Sequence, residues 1–365
     1  MQINYKKRNV FEDDCKGMVE TLKKSGVPTI ICGDVDENLY IKFFEENDLI
    51  PDNVYDRSVE LRGKKCAFGR IINAQDIDDL YEEYNAVIVV PYFDEIKSVL
   101  MKTKAVLKNA FFLDIAKLHS HPTMFQGGAE VYIKEHEAEF KEMYDGFADK
   151  ESKQVWNDLV NYWISGDYKL VEKYKGRQGV QYLDFFENYT DHETFLNCGS
   201  FDARYSKKFI DIVGREYIKI INIECDEKNF EVTCNNMRGY PNIENVKVGL
   251  YNEKTTLHFN SMGNGMSCIE DDGNVSVEVD TIDNIANGDS ITFIKMDIEG
   301  AEYCALEGAK TIIQANRPKM AICIYHNISD FIRIPSLIRE MDANYKFAVR
   351  HYTDTLTETV LFAWV

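Results

Sequence analysis

Positive charge is what this sequence has least of: 42 Lys and Arg stand against 61 Asp and Glu, a formal net charge of −19. A field of that sign repels phosphate backbones and anionic membrane surfaces, so neither nucleic acid nor a lipid surface is an expected partner. A nucleotide cofactor stays allowed, because a local site can hold one with backbone N–H groups. Long hydrophobic runs are also missing. None approaches the ~18 apolar residues of a membrane helix, and the opening MQINYKKRNVFEDDCKG has no apolar h-region. The 9 Cys form no C-x-x-C pair, and several lie in apolar, strand-like runs. Buried thiols in a reducing compartment follow, with the cytoplasm as the expected location. There is no solenoid repeat and no low-complexity segment.

What is present suits a folded chain of two domains. The 365 residues exceed one ordinary domain of about 100–200. Hydrophobic residues at 45% and charged ones at 28% supply a full core and argue against disorder. Strand-like runs at Val27–Cys32, Asn53–Tyr55 and Ala86–Val90 alternate with helical ones at Leu39–Glu46, Ile77–Tyr84 and Asp94–Lys102. That alternation implies a parallel sheet in a small Rossmann-like domain, assigned to residues 1–118. Residues 119–190 read as a helical connector, with helices over Ala129–Tyr144 and Ser152–Ile164. Trp156, Tyr162 and Trp163 are expected to pack it on a neighbouring domain. The charged stretch Glu135–Lys153 reads as a solvated helix face. Alternation returns over 191–365, with strands near Phe195–Cys198, Ile218–Ile223, Val246–Val248, Val275–Val279, Phe293–Met296 and Lys319–Tyr325. Tyr345–Arg350 and Glu358–Trp364 suggest a final antiparallel hairpin.

Three groups of residues carry candidate chemistry. In Phe195-Leu196-Asn197-Cys198-Gly199-Ser200-Phe201-Asp202 an apolar strand runs into Gly, and a helix start follows. The Gly permits a tight turn and close approach to a ligand, and the helix start offers free N–H groups. The second strand ends in Glu224, where such folds hydrogen-bond a ribose diol. A strand ending at Gly is by itself only a turn; the pair at this spacing favours a nucleoside-containing ligand. The second group is Asp297, Glu299 and Glu302, where a buried strand leaves the sheet. Carboxylates there can act as general base, bind a cation or hold hydroxyls, or they can cap the next helix. The cap suits Glu302 best; Asp297 and Glu299 lean to function. Hydroxyl hydrogen bonding explains them without a metal, and none is assigned. The third group is His326, with His351 after the following strand, on what should be one rim; a His there can accept a hydroxyl proton.

These residues bring a known family into view. FIKMDIEGAEYCALEGAKTII followed by RPKMAICIYH, then RHY and TETVLFA, resembles the FkbM-type methyltransferases. DTIDNI and VGLYNEKTTLHF are similar to that family too, and YWISGDYKL and QYLDFF resemble the lead-in of bacterial members found with polysaccharide synthesis. The resemblance implies a doubly wound, Rossmann-like class I domain that transfers the methyl of S-adenosylmethionine, mostly to oxygen. The first segment resembles, less specifically, the Rossmann-like domains attached to such members. It further implies that Asn197, Cys198, Gly199, Ser200 and Asp202 line the methionine side of the cofactor. Glu224 would bind the ribose and Leu250 would lie near the adenine. Asp297, Glu299 and His326 would face the acceptor, with Asp297 also against the cofactor. The expected acceptor is a small molecule or carbohydrate; oligomeric state is left open, a homo-oligomer being allowed.

The chain departs from that pattern at three places. Asn197 stands where the family usually has Asp, Ala203-Arg204 where it has Gly-Asp, and Cys225 where a Pro follows the ribose acid. These changes leave open a silent module that binds the cofactor or a partner protein, and Arg204 is equally placed to offset the methionine carboxylate. Gly33-Asp34-Val35-Asp36 lacks the second and third Gly of a dinucleotide loop and puts acids where a pyrophosphate would go. NAD is therefore excluded there, a scaffold or docking role is expected, and a nucleotide sugar near Gly33 is the weaker rival.

Overall fold

The computed structural model describes residues 1–5, 10–33, 38–58, 60–89, 93–113, 129–175, 181–190, 192–214, 216–261, 267–269, 275–286 and 288–365. Its first unit is a sheet of five strands: β1 (Thr29–Cys32), β2 (Asn53–Tyr55), β3 (Ile71–Ile72), β4 (Glu83–Ile88) and β5 (Val106–Phe112). The order is β3-β2-β1-β4-β5, and every pairing is parallel. Side chains alternate across a strand, and here both faces are covered. Ile30, Cys32, Ala86 and Ile88 enter one core, Ile31 and Val87 the other. The helix expected over Ile77–Tyr84 runs instead over Ala74–Leu80, because Asn73 and Asp76 close a capping box at its start. Tyr84 and Asn85 belong to β4. Gly33 follows β1, while Asp34, Val35 and Asp36 lie outside the described residues, as does Val90.

Connector helices run over Ala129–Glu135, Glu137–Gly146 and Lys150–Ser165, and the described residues of 119–190 contain no strand. The last helix begins at Asp149, whose carboxylate accepts the Ser152 N–H, and ends at Gly166 in the left-handed conformation. Its buried Trp156 lies 5.1 Å, ring to ring, from Phe331 and also from Phe147. The Trp156 indole N–H donates to the Phe140 carbonyl at 3.1 Å. Trp163 meets the same Phe331 at 6.3 Å. The connector and the C-terminal sheet thus share one apolar cluster.

That sheet has seven strands: β6 (Thr194–Cys198), β7 (Lys219–Ile223), β8 (Ile243–Val246), β13 (Phe293–Met296), β14 (Lys319–Cys323), β15 (Lys346–His351) and β16 (Thr359–Trp364). Their order is β15-β16-β14-β13-β6-β7-β8, with β16 antiparallel to both neighbours and the rest parallel. The chain moves outward from β6 to β8 and then returns to place β13 on the other side of β6. A crevice opens beyond the carboxyl ends of β6 and β13, where the direction of winding reverses. Val275–Val279, expected to continue this alternation, lies instead in a separate sheet. It comprises β9 (Gly249–Leu250), β10 (Thr255–Ser261), β11 (Ser267–Ile269) and β12 (Val275–Asp280), in the order β11-β10-β12-β9. β10 and β12 pair antiparallel, a register that local periodicity cannot distinguish from a strand of the main sheet.

Trp156→Ala should cost about 3–5 kcal/mol, since it empties a buried, ring-packed position. Denaturant unfolding followed by circular dichroism measures that loss.

Candidate active site

The crevice forms where two strand tips touch. Gly199 follows β6 with φ at +72°, and a Cβ there would fall 1.8 Å from the Asp297 carbonyl oxygen at the end of β13. Both conditions demand glycine. The N–H groups of Gly199 and Ser200 donate to the Ile223 carbonyl, each at 3.0 Å, which ties this turn to the end of β7. Glu224 sits at that end. Its Oε2 accepts the Phe201 N–H at 2.8 Å and its Oε1 the Asp226 N–H at 3.0 Å. Each carboxylate oxygen keeps a second lone pair free for a ligand hydroxyl.

A cavity of about 770 Å³ opens here. Gly199, Ser200, Glu224, Leu250, Asp297 and Glu299 all line it, so the structure brings together residues 100 positions apart. Leu257, Val277 and Val279 of the small sheet roof it with apolar surface. Five candidate residues are placed elsewhere. The Asn197 amide is buried and donates to Ser206 Oγ at 3.0 Å and Asn222 Oδ1 at 3.2 Å, holding β6 to its neighbours. Cys198 is buried within β6, off the wall. Asp202 forms a two-pronged pair with Arg204, and only Arg204 reaches the cavity. The His326 side chain lies behind the wall, 2% exposed. His351 is buried too, its Nδ1 2.9 Å from Thr359 Oγ1, and burial lowers its pKa to about 3, so it stays neutral.

Three lining residues went unread in the sequence. Lys295 is buried on β13; its ammonium donates to the Gly199 carbonyl at 2.7 Å and lies 5.0 Å from the centre of the Tyr182 ring. The Tyr182 hydroxyl donates to Asp297 Oδ2 at 2.7 Å. Glu358, at φ +63°, accepts a hydrogen bond from the Gln181 amide just before β16. A lysine inside an apolar strand run is a visible signal, since burial without a partner is prohibitive. Tyr182 and Glu358 carry none, because their partners are 115 and 177 residues away.

These groups divide the charge between them. Burial works to raise the Asp297 carboxyl, but the Lys295 charge, the His326 imidazole and the Tyr182 hydroxyl outweigh it and hold the group below its ordinary value. Burial, with the Asp297 charge adding to it, pushes Glu358 up to about 7. Burial would strip the proton from His326, yet Glu302, Glu299 and Asp297 reverse this and raise its pKa well above the ordinary value. Glu302 is fully buried at the start of the helix Glu302–Glu307. Its Oε1 accepts the Ile298 N–H at 2.9 Å and stands 3.0 Å from His326 Nδ1. Donor atoms of Asp297, Glu302 and His326 all lie within 4.8 Å of one another. The wall therefore offers a carboxylic acid that titrates near neutrality, an ionised carboxylate and a buried cation, set beside an apolar slot.

A mixed α/β fold of parallel sheets, with a nucleoside-sized crevice at the switch point, is the coarse class this geometry defines. Residues 197–347 match the model of the methyltransferase FkbM domain. No curated protein matches the chain. Among solved structures it is similar to methyltransferase FkbM from Methylobacillus flagellatus KT. The identity is 18%, the alignment covers 97% of this chain and 99% of that one, and the TM-score is 0.67. That likeness extends the shared fold to the N-terminal unit and the connector. A SAM dependent methyltransferase from Aquifex aeolicus (16% identity, 55% of this chain and 99% of that one) reaches a TM-score of only 0.31. Aeropyrum pernix fibrillarin with bound S-adenosyl-L-methionine (12%, 53% and 75%) reaches 0.32. Superpositions that loose add nothing to the fold assignment.

Glu358→Gln tests the charge arrangement. An acid whose pKa rises on folding destabilises the native state once it must ionise, so the wild type loses stability as pH climbs from 4.5 toward 7. The variant should gain on the wild type through that window, by roughly 2–4 kcal/mol at its upper end. Melting temperatures of both proteins across pH 4–8 measure it, with a constant difference as the contrary result.

Proposed function

We propose that this chain is an S-adenosylmethionine-dependent O-methyltransferase, acting in the cytoplasm on a hydroxyl of a sugar or a sugar-containing polysaccharide precursor. On this reading residues 191–365 form the class I catalytic domain with its closing antiparallel hairpin. Residues 119–190 brace it and residues 1–118 form a smaller Rossmann-like unit with a scaffold or docking role. The observation that carries the reading is the 770 Å³ cavity at the switch point, of a size that holds a nucleoside-containing ligand.

Within it Glu224 takes the ribose diol through its free lone pairs. Leu250 and Val279 offer the adenine an apolar slot, and the Gly199–Ser200 turn lies along the methionine portion. Arg204 and Lys208, both on the wall, suit the methionine carboxylate. S-adenosylmethionine supplies an electrophilic methyl on a sulfonium, and the protein's task is to set the acceptor oxygen in line with it. Glu358 and Asp297 stand where the acceptor would lie, and a carboxylate titrating near neutrality is matched to receiving a hydroxyl proton.

The silent-module alternative rests on the altered cofactor loop. The buried bonds of Asn197 to Ser206 and Asn222 weigh against it, because that departure faces the inside of the sheet and takes no charge from the cavity.

Calorimetric titration with S-adenosylmethionine and S-adenosylhomocysteine tests the cofactor assignment. Micromolar binding is expected, weakened by roughly 10–100-fold in Glu224→Ala, as for a charge-assisted hydrogen bond. Absence of binding to either ligand would sink the proposal.

A further inference from the structure

Behind the cavity wall lie Glu302 and His326, two buried side chains to which the proposed methyl transfer gives no task. Glu302 is fully buried, and its Oε2 has no hydrogen-bond partner. Neither nitrogen of buried His326 meets a partner in hydrogen-bonding geometry, although carboxylates flank the ring on both sides. Nδ1 is 3.0 Å from Glu302 Oε1, while Nε2 is 3.4 Å from Glu299 Oε2 and 3.7 Å from Asp297 Oδ1. Orphaned polar atoms this deep are rare. Glu302 Oε2 and the two ring nitrogens of His326 lie in one cluster of acids and imidazole, from which each residue can offer an ion one atom.

We propose that Asp297, on the cavity wall, and Glu302 and His326, buried behind it, form a divalent-cation site, with Glu299 closing it from the cavity side. One donor atom from each of the three lies within 4.8 Å of the others. Across an octahedral ion with bonds of about 2.1 Å, opposite donors are about 4.2 Å apart. Adjacent donors on such an ion are about 3.0 Å apart, so binding draws the widest pair inward by roughly 0.5–2 Å. Tyr182 donates to Asp297 Oδ2 at 2.7 Å and Tyr325 reaches Oδ1 at 3.4 Å, so an ion would take the second lone pair of Oδ1, which stands 3.7 Å from His326 Nε2. Carboxylates suit hard ions and imidazole suits transition metals, so a divalent first-row ion such as Mn²⁺ meets both. Glu299, whose side chain is 63% exposed, can move with the ion, and Asp297 and Glu299 both face the cavity. An ion there has a route to open positions on the acceptor side, where it would polarise a bound hydroxyl.

The rival occupant is a proton on His326, which would also offset the acids. Titration of the full chain with Mn²⁺, read from the six-line electron paramagnetic resonance signal of the free ion, separates the two. One Mn²⁺ per chain should be taken up and displaced by excess Mg²⁺. Binding should weaken at least about tenfold in Glu302→Gln, which keeps an acceptor for the Ile298 N–H. If that variant loses its circular dichroism spectrum, exposed Glu299→Gln decides: weaker binding supports the site, and unchanged binding overturns it. No uptake by the wild type, or equal uptake by a folded Glu302→Gln chain, also overturns it. The titration contains no cofactor, so its outcome stands apart from that of the cofactor calorimetry.

Discussion

A single close approach organises the C-terminal half of this protein. The turn after β6 lies so near the end of β13 that a methyl group at Gly199 would overlap the Asp297 carbonyl. That contact holds two strand tips together at the point where the sheet reverses direction. Lys295 fastens it from below by donating to the Gly199 carbonyl, and the ends of β7 and its Glu224 are tied to the same turn. The rest of the cavity is arranged around this knot. The small sheet roofs one side, and Tyr182 reaches in from the connector on the other.

Charge follows from the same packing. A chain with a net charge of −19 has acids to spare, yet inside the wall each acid meets a different environment. Asp297 has a buried ammonium nearby and a phenol donating to it, so it ionises readily. Glu358, which accepts from the Gln181 amide, is pushed up to about 7 by burial. Two carboxylates on one wall thus take different protonation states near neutral pH, the arrangement by which active sites separate an acid–base group from a fixed charge. Asp330 repeats the pattern deeper in the fold: burial raises it to about 7 despite its pairing with Arg333.

Much of this was legible in the sequence, because it depends on local signals at strand ends. Gly199, Glu224 and Asp297 each terminate a buried apolar run, and the winding of the fold guarantees that such ends converge. What local pattern could not supply was direction. Asn197 lies one residue before the strand tip, yet its amide turns into the sheet, and His326 follows a strand end but lies behind Glu299 and Asp297. The small sheet escaped notice because β12 reads like any apolar strand, and only its pairing with β10 removes it from the main sheet. Tyr182 and Glu358 were beyond reach for a simpler reason: each acts through a partner more than 100 residues away. The connector's packing was legible in Trp156 and Trp163, expected to set it on a neighbouring domain, and they make it a layer of the C-terminal core through Phe331.

The most direct test of the account is a crystal structure of the protein grown with S-adenosylhomocysteine. The ribose hydroxyls should lie on the Glu224 carboxylate, the adenine against Leu250 beneath the small sheet, and the sulfur toward Asp297. A ligand seated instead at the end of β1 near Gly33, or with its ribose away from Glu224, would contradict it.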